Sequence, residues 1–255
     1  AVLDLRDNSI HPKTVSNLVA ILQSTTSLTA CDFSGSDSEN TNVLGAEGLF
    51  ELAQALRVNQ SITALNVAKT NLTNGGVEFG GIEKLCGGLV ANRTLMRMDM
   101  SYNQLGSCGS SLGGLLRHNQ TLAVLVLNHA NLNDNDVGLI ANGLFMHESI
   151  LVLGLANNRI SSSGAIALGD MLMTNRKLTT LDLAHNSIGR DVFSLQGGAE
   201  FGKRDASVSN KGAQFLAAAL RANSTLVRLD LRDNFISLEG SRMLYAARQK
   251  GTTIK

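Results

Sequence analysis

An α/β solenoid, with parallel strands lining the concave face of a horseshoe and helices on its convex face, is the fold predicted by these 255 residues. Three observations predict it. A short phrase of alternating aliphatic residues recurs eight times, a phrase with helical spacing follows, and an asparagine link leads into the next copy. The first aliphatic positions are Leu3, Cys31, Leu65, Met98, Leu125, Leu153, Leu181 and Leu229, in steps of 28, 34, 33, 27, 28, 28 and 48 residues. A recurring step of that kind settles the architecture before any local reading does.

Each part of the unit has a physical reason. In Leu-x-Leu, alternate side chains point to opposite faces, so the leucines turn inward and the residue between them outward. The asparagine that follows, as at Asn8 and Asn234, satisfies backbone groups of the neighbouring copy that a curved one-sided stack leaves open. Next comes an apolar phrase at three- and four-residue steps, the period of one helix face. Gly164 to Leu172 is the clearest, with copies from Gly48 to Leu56, Gly81 to Leu89 and Gly212 to Leu220. Gly87-Gly88 and Gly113-Gly114 fall inside such phrases and are expected to permit close packing. The link Asn-x-x-aliphatic, at Asn59, Asn92, Asn119, Asn175 and Asn223, returns the chain to a parallel strand through a right-handed crossover. No half-unit buries its apolar side alone, so about eight repeats stack as one domain over residues 1–255.

The 28-residue step, the helix after each strand and the Gly-Ala-x-x-Leu-x-x-x-Leu wording of Gly164 to Leu172 resemble the ribonuclease-inhibitor class of leucine-rich repeats. The resemblance covers the chain except near residues 190–207. It implies a surface that holds a protein, in cytoskeletal, ciliary or sensing assemblies. It also implies two alternatives: a GTPase-activating regulator resembling the Ran GTPase-activating proteins, or an inhibitor of a basic enzyme. A fold of this kind does not by itself choose among them.

Composition narrows the choice. A formal net charge of +1 and 17% charged residues give no broad lure for nucleic acid or an anionic membrane. Aromatic residues make up 4% and tryptophan is absent, which speaks against base stacking. No apolar run is long enough to span a bilayer. Cys31, Cys86 and Cys108 are too scattered for a disulfide framework and point to a reducing, cytoplasmic setting; the cytoskeleton or the cilium as its place is what the resemblance implies. Five Asn-x-Ser/Thr triplets occur at Asn59, Asn71, Asn92, Asn119 and Asn223; four share one repeat position, so turn chemistry explains them without a glycan. The chain opens directly before a strand leucine, and Ile254 begins a further strand phrase. We expect a segment of a longer polypeptide.

No catalytic grouping stands out, and neither a cofactor nor a metal is expected. His11, His118, His129, His147 and His185 lie in different repeats and read as surface polar residues. His129 and His185 share a slot two repeats apart, roughly 10 Å at the strand spacing, too far to share a zinc ion. The glycine pairs near Gly75 and Gly80 lack the lysine and hydroxyl of a phosphate loop.

The outward strand residues carry more information. Between the two aliphatics stand Asp4, Asp32, Asn66, Asp99, Val126, Gly154, Asp182 and Asp230. The face is therefore acidic toward both ends and small or apolar around Val124, Val126, Val152, Gly154 and Ala156. Apolar groups ringed by charge mark a docking patch. A partner is expected to insert an apolar side chain there, with Asp99, Tyr102, Asn128 and Asp182 at the rim; a valine ladder that merely covers adjacent strands is the structural alternative. Three units are lengthened, at 37–44, 73–80 and 190–207, all between strand and helix. The longest carries Phe193, Leu195, Phe201, Lys203 and Arg204 and is expected either to reach a partner or to fold back on the repeat edge. Arg190 and Arg204 are the residues a GTPase-activating role would use.

Overall fold

The computed structural model describes residues 1–191 and 209–255. Among them, nine strands form one parallel sheet in chain order: β1 (Val2–Asp4), β2 (Ala30–Asp32), β3 (Ala64–Asn66), β4 (Arg97–Asp99), β5 (Val124–Val126), β6 (Val152–Gly154), β7 (Thr180–Asp182), β8 (Arg228–Asp230) and β9 (Thr253–Ile254). Eight helices alternate with them: α1 (Pro12–Ser24), α2 (Gly45–Val58), α3 (Gly80–Ala91), α4 (Gly109–His118), α5 (Asp134–Leu144), α6 (Ser162–Thr174), α7 (Lys211–Ala222) and α8 (Leu238–Ala247). Each helix packs on the next one in the chain. The architecture is the open α/β solenoid that the period predicts, with a ninth strand beyond the eighth unit.

The register places the repeat in space. Leu3, Cys31, Leu65, Met98, Leu125, Leu153, Leu181, Leu229 and Ile254 align from strand to strand. The second aliphatics, from Phe33 through Val67, Met100, Leu127 and Leu155 to Leu183, are fully buried. Because β-pairing advances one strand per repeat, the core is a continuous seam between sheet and helices, and no repeat owns a core of its own.

The asparagine after the strand does what its position predicts. Asn103 donates to the carbonyls of Val67, Met100 and Ser101, and its oxygen accepts from the amides of Thr70 and Leu72 one repeat earlier. Asn158 and Asn186 repeat the pattern.

The helix-to-strand corner is equally saturated. Asn175 donates to Leu144 O (2.8 Å) and His147 O (3.2 Å) and accepts from the amides of Lys177 and Leu178, both at 2.9 Å. Asn59, Asn92, Asn119 and Asn223 do the same and are buried. Their amides are thus committed to the fold, as turn chemistry requires.

Two expectations need correction. His147 is not a surface residue: it is 2% exposed and fills the asparagine slot of its corner. Its Nδ1 imitates the amide oxygen by accepting from Ser149 N (3.2 Å) and Ile150 N (3.0 Å). The four paired glycines also divide. A Cβ on Gly88 or Gly113 would collide with backbone of the adjacent helix, 2.8 Å from Ala53 O and 2.3 Å from Leu139 O, whereas Gly87 and Gly114 face open space. Only one glycine of each pair serves close packing.

Candidate functional site

The inner sheet face is built from three outward rows. Register runs Arg97, Val124, Val152, Thr180 along one row and Asp99, Val126, Gly154, Asp182 along the next. Ser101, Asn128, Ala156 and Ala184 follow as the chain leaves the strands.

The strand aspartates have a local task first. A strand of three residues ends abruptly, and the carboxylate caps the exit by accepting the amide two residues on: Asp32 from Ser34 (2.9 Å), Asp99 from Ser101 (3.0 Å), Asp182 from Ala184 (3.1 Å). Asn66 does this for Ala68. Where β5 and β6 carry Val126 and Gly154, Asn128 takes over and accepts from Ala156 N at 2.8 Å.

Beyond that bond the aspartates differ. Asp4 is gripped by Arg6, which holds its carboxyl down at about 2. Asp230 is fully buried between Arg232 (2.8 Å) and Arg228 (3.7 Å), and the Arg232 contact lowers its pKa. Asp32 is engaged by Ser34 Oγ and Asn66. Among the described residues, Asp99 and Asp182 make neither an ion pair nor a further side-chain hydrogen bond. The acidity that the sequence places at both ends of the face is therefore largely neutralised internally, and the two uncommitted carboxylates flank its middle.

That middle holds Val124, Val126 and Val152, all half-buried. Gly154 and Ala156 are buried beneath Asn128; a Cβ on Gly154 would meet Asn128 Oδ1 and Val126 Cγ1 at 3.0 Å. They seat Asn128 and offer little contact area themselves.

Sequence reasoning overlooked Met96 and Leu151. They stand one residue before β4 and β6 and are 51% and 43% exposed. Through Ala123 they are ladder neighbours, with Ala123 N bonded to Met96 O and Leu151 N to Ala123 O. The signal was present: Thr29, Thr63 and Thr179 hold this slot in three other units and bond the preceding carbonyl, while Val227, exposed like Met96 and Leu151, holds it before β8. A methionine or leucine there gives up that bond and exposes an apolar side chain.

At the opposite edge a left-handed residue recurs after seven of the nine strands: Asp7, Lys69, Tyr102, His129, Asn157, His185 and Asp233. Bulky residues seldom adopt this conformation. Tyr102 is 55% exposed and stacks on His129, ring centroids 4.2 Å apart. Burial, and then the charge of His185, lower the His129 pKa. His185 Nδ1 lies 3.3 Å from Asp233, and Lys69 pairs with Asp37.

Phe193, Phe201, Lys203 and Arg204 lie outside the described residues. The flanks of their segment are well tied: Ser209 N donates to Gly189 O at 2.9 Å, and Lys211 lies 3.5 Å from Asp191. Arg190 places its guanidinium 3.5 Å above the Phe235 ring. Among the described residues no group of three or more His, Cys, Asp or Glu could hold a metal ion, and no helix is long and apolar enough to cross a membrane. Burial raises the thiols of Cys86 and Cys108 to about 12, so neither is a ready thiolate.

A family model described as a leucine-rich repeat matches residues 58–79, 174–191 and 222–244. Leucine-rich repeat-containing protein 45 of Gallus gallus is 34% identical over 153 residues, 59% of this chain and 20% of that protein. Ribonuclease inhibitor of Sus scrofa is 24% identical over 279 residues, 93% of this chain and 59% of the inhibitor. The solved structure of leiomodin-1 actin-binding site 2 superposes with a TM-score of 0.49 at 19% identity, over 66% of this chain and 85% of that one. The chain thus spans about a fifth of the length of the first of these proteins.

Proposed function

Because the chain belongs to the leucine-rich repeat proteins of the ribonuclease-inhibitor-like class, we propose that it is a non-enzymatic docking module that seats a protein partner on its inner face. One observation carries the reading. Across β5 and β6 the face is apolar and uncharged from Leu151 through Val124 and Val152 to Val126, with Met96 exposed beside it, and charge resumes on either side at Arg97 and Asp99 on β4 and at Asp182 on β7. Apolar centres with polar margins are how protein interfaces are composed. Tyr102 and Asn128 complete the margin. The module works as one element of a larger assembly, a reading supported by the greater length of the relatives it matches.

The competing readings find less support. An inhibitor of a basic enzyme needs free acidic groups, yet Asp4 and Asp230 are spent on arginines of their own strands. Of the two arginines that a GTPase-activating role would use, Arg190 is stacked on Phe235 and Arg204 lies outside the described residues.

The test is Val126→Glu. Val126 is half-buried at the surface, so the melting temperature stays within a few degrees while affinity capture of the partner is lost. Undiminished capture would overturn the docking site.

A further inference from the structure

The chemistry of the docked segment can be read from what surrounds the apolar window, an inference that rests on the docking site above. Asp99 and Asp182 lie on one register row, separated by Val126 and Gly154. Three ladder steps place them about 14 Å apart. In an extended chain, residues i, i+2 and i+4 face the same way and span about 13 Å. An extended segment crossing the strands along this row therefore brings its first and last outward residues over the two carboxylates. Its middle residue falls between Val126 and Gly154, on the apolar floor of Val124, Val126 and Val152. We propose that the occupant is a segment of the form basic-x-apolar-x-basic, laid across β4 to β7.

Two neighbours sharpen the fit. Tyr102, exposed three residues beyond Asp99 with one ring face stacked on His129, offers its other face to a guanidinium at that end of the segment, so arginine is preferred to lysine there. Arg97 stands two residues before Asp99 on the same strand, about 7 Å away, and makes no ion pair among the described residues. Its charge repels a segment displaced toward the Val124 row and so confines the basic residues to the carboxylate row. Asn128, on the row beyond Val126, has an Nδ2 that donates to no acceptor among the described residues and is available to bind a carbonyl of the segment.

The experiment is selection from a displayed library of random peptides on the whole chain, followed by titration of the consensus peptide. Enrichment of two basic residues four apart around a central apolar residue is expected. Asp99→Asn with Asp182→Asn should weaken that peptide roughly tenfold and flatten its salt dependence. Asparagine keeps the oxygen that caps the strand exit, as Asn66 does, so the double variant folds. No enrichment, a consensus without paired basic residues or with helical spacing, or unchanged binding by the double variant overturns the inference. If the double variant binds normally while Val126→Glu does not, the site stands and only its charge preference falls. If Val126→Glu also binds normally, the docking site itself falls.

Discussion

The helix-to-strand corner and the inner strand face of one repeat use the same small polar residues to opposite ends. At the corner, Asn175 is 2% exposed and both ends of its amide are bonded to backbone. On the face, Asp99 makes one backbone bond and leaves an oxygen to solvent. A group with every hydrogen bond fixed inside cannot change without unfolding its surroundings, whereas one with a free lone pair can be exchanged at little cost. Stability is thus lodged at the corners, and recognition is free to vary across the face.

The sharpest way to break that division is to compare the two asparagine-sized sites directly. Asn175→Ala strands the His147 carbonyl and the Leu178 amide in the interior, leaves the Leu144 carbonyl with only its His147 N bond, and uncaps the half-buried Lys177 amide. At about 1–3 kcal/mol for each buried group left unsatisfied, a loss of about 4 kcal/mol is expected, read by urea unfolding. Asp99→Asn on the face should cost less than about 0.5 kcal/mol, the usual range for a surface change. Similar losses at both would erase the distinction.

Next in size is the same contrast along one helix. Gly113→Ala drives a methyl into the Leu139 backbone at 2.3 Å and should cost about 2–3 kcal/mol, since packed helices must part. Gly114→Ala meets open space and should stabilise by about 0.5–1 kcal/mol through helix propensity. Thermal melts of the two variants should move in opposite directions.

His147 makes one corner weaker than the rest in acid. Burial lowers its pKa from the ordinary 6.5, partly offset by the nearby Asn119 backbone, although Nε2 reaches no partner in hydrogen-bonding geometry. Protonation would put a hydrogen on Nδ1, which faces two amide donors. Below 6.5 the unfolded chain takes the proton before the folded chain does, so stability falls as pH drops through that window. His147→Asn should remove its share of this dependence, seen as a shallower decline of the melting temperature between pH 7 and 5, with the remainder left to groups such as His129, whose pKa is also lowered. A decline of the same size in the variant would place the acid lability elsewhere.

These sites also show what the sequence could and could not disclose. The fold was legible because burial repeats: Leu65, Met98 and Leu125 recur at the repeat step, and each has to face the same seam. The four corner asparagines at sequon positions were legible for the same reason. His147 was not, because its residue type suggests a surface and only its slot betrays an amide mimic. The apolar window was legible at Val124, Val126 and Val152, where strand alternation holds. It failed at Met96 and Leu151, which precede three-residue strands too short to carry the alternation outward. The aspartates misled in part, since Asp4 with Arg6 and Asp230 with Arg232 lie two apart on one strand face and cancel.

The smallest effect belongs to the longest insertion, and it tests whether corner and face exhaust the structure's needs. Its flanks are tied to one another and to the neighbouring repeats: Ser209 N bonds Gly189 O, Asp191 accepts from Ser162 and pairs with Lys211, and Arg190 is held by Phe235. Replacing residues 192–208 by two glycines should therefore leave the melting temperature unchanged or slightly raised, because a shorter closed loop costs less entropy. Partner capture by the excised chain separates the remaining roles. Lost capture with an intact melt assigns Phe193, Phe201, Lys203 and Arg204 to the partner. A melt lowered by several degrees assigns them to the repeat edge, and stability would then rest on a third region that neither corner nor face supplies.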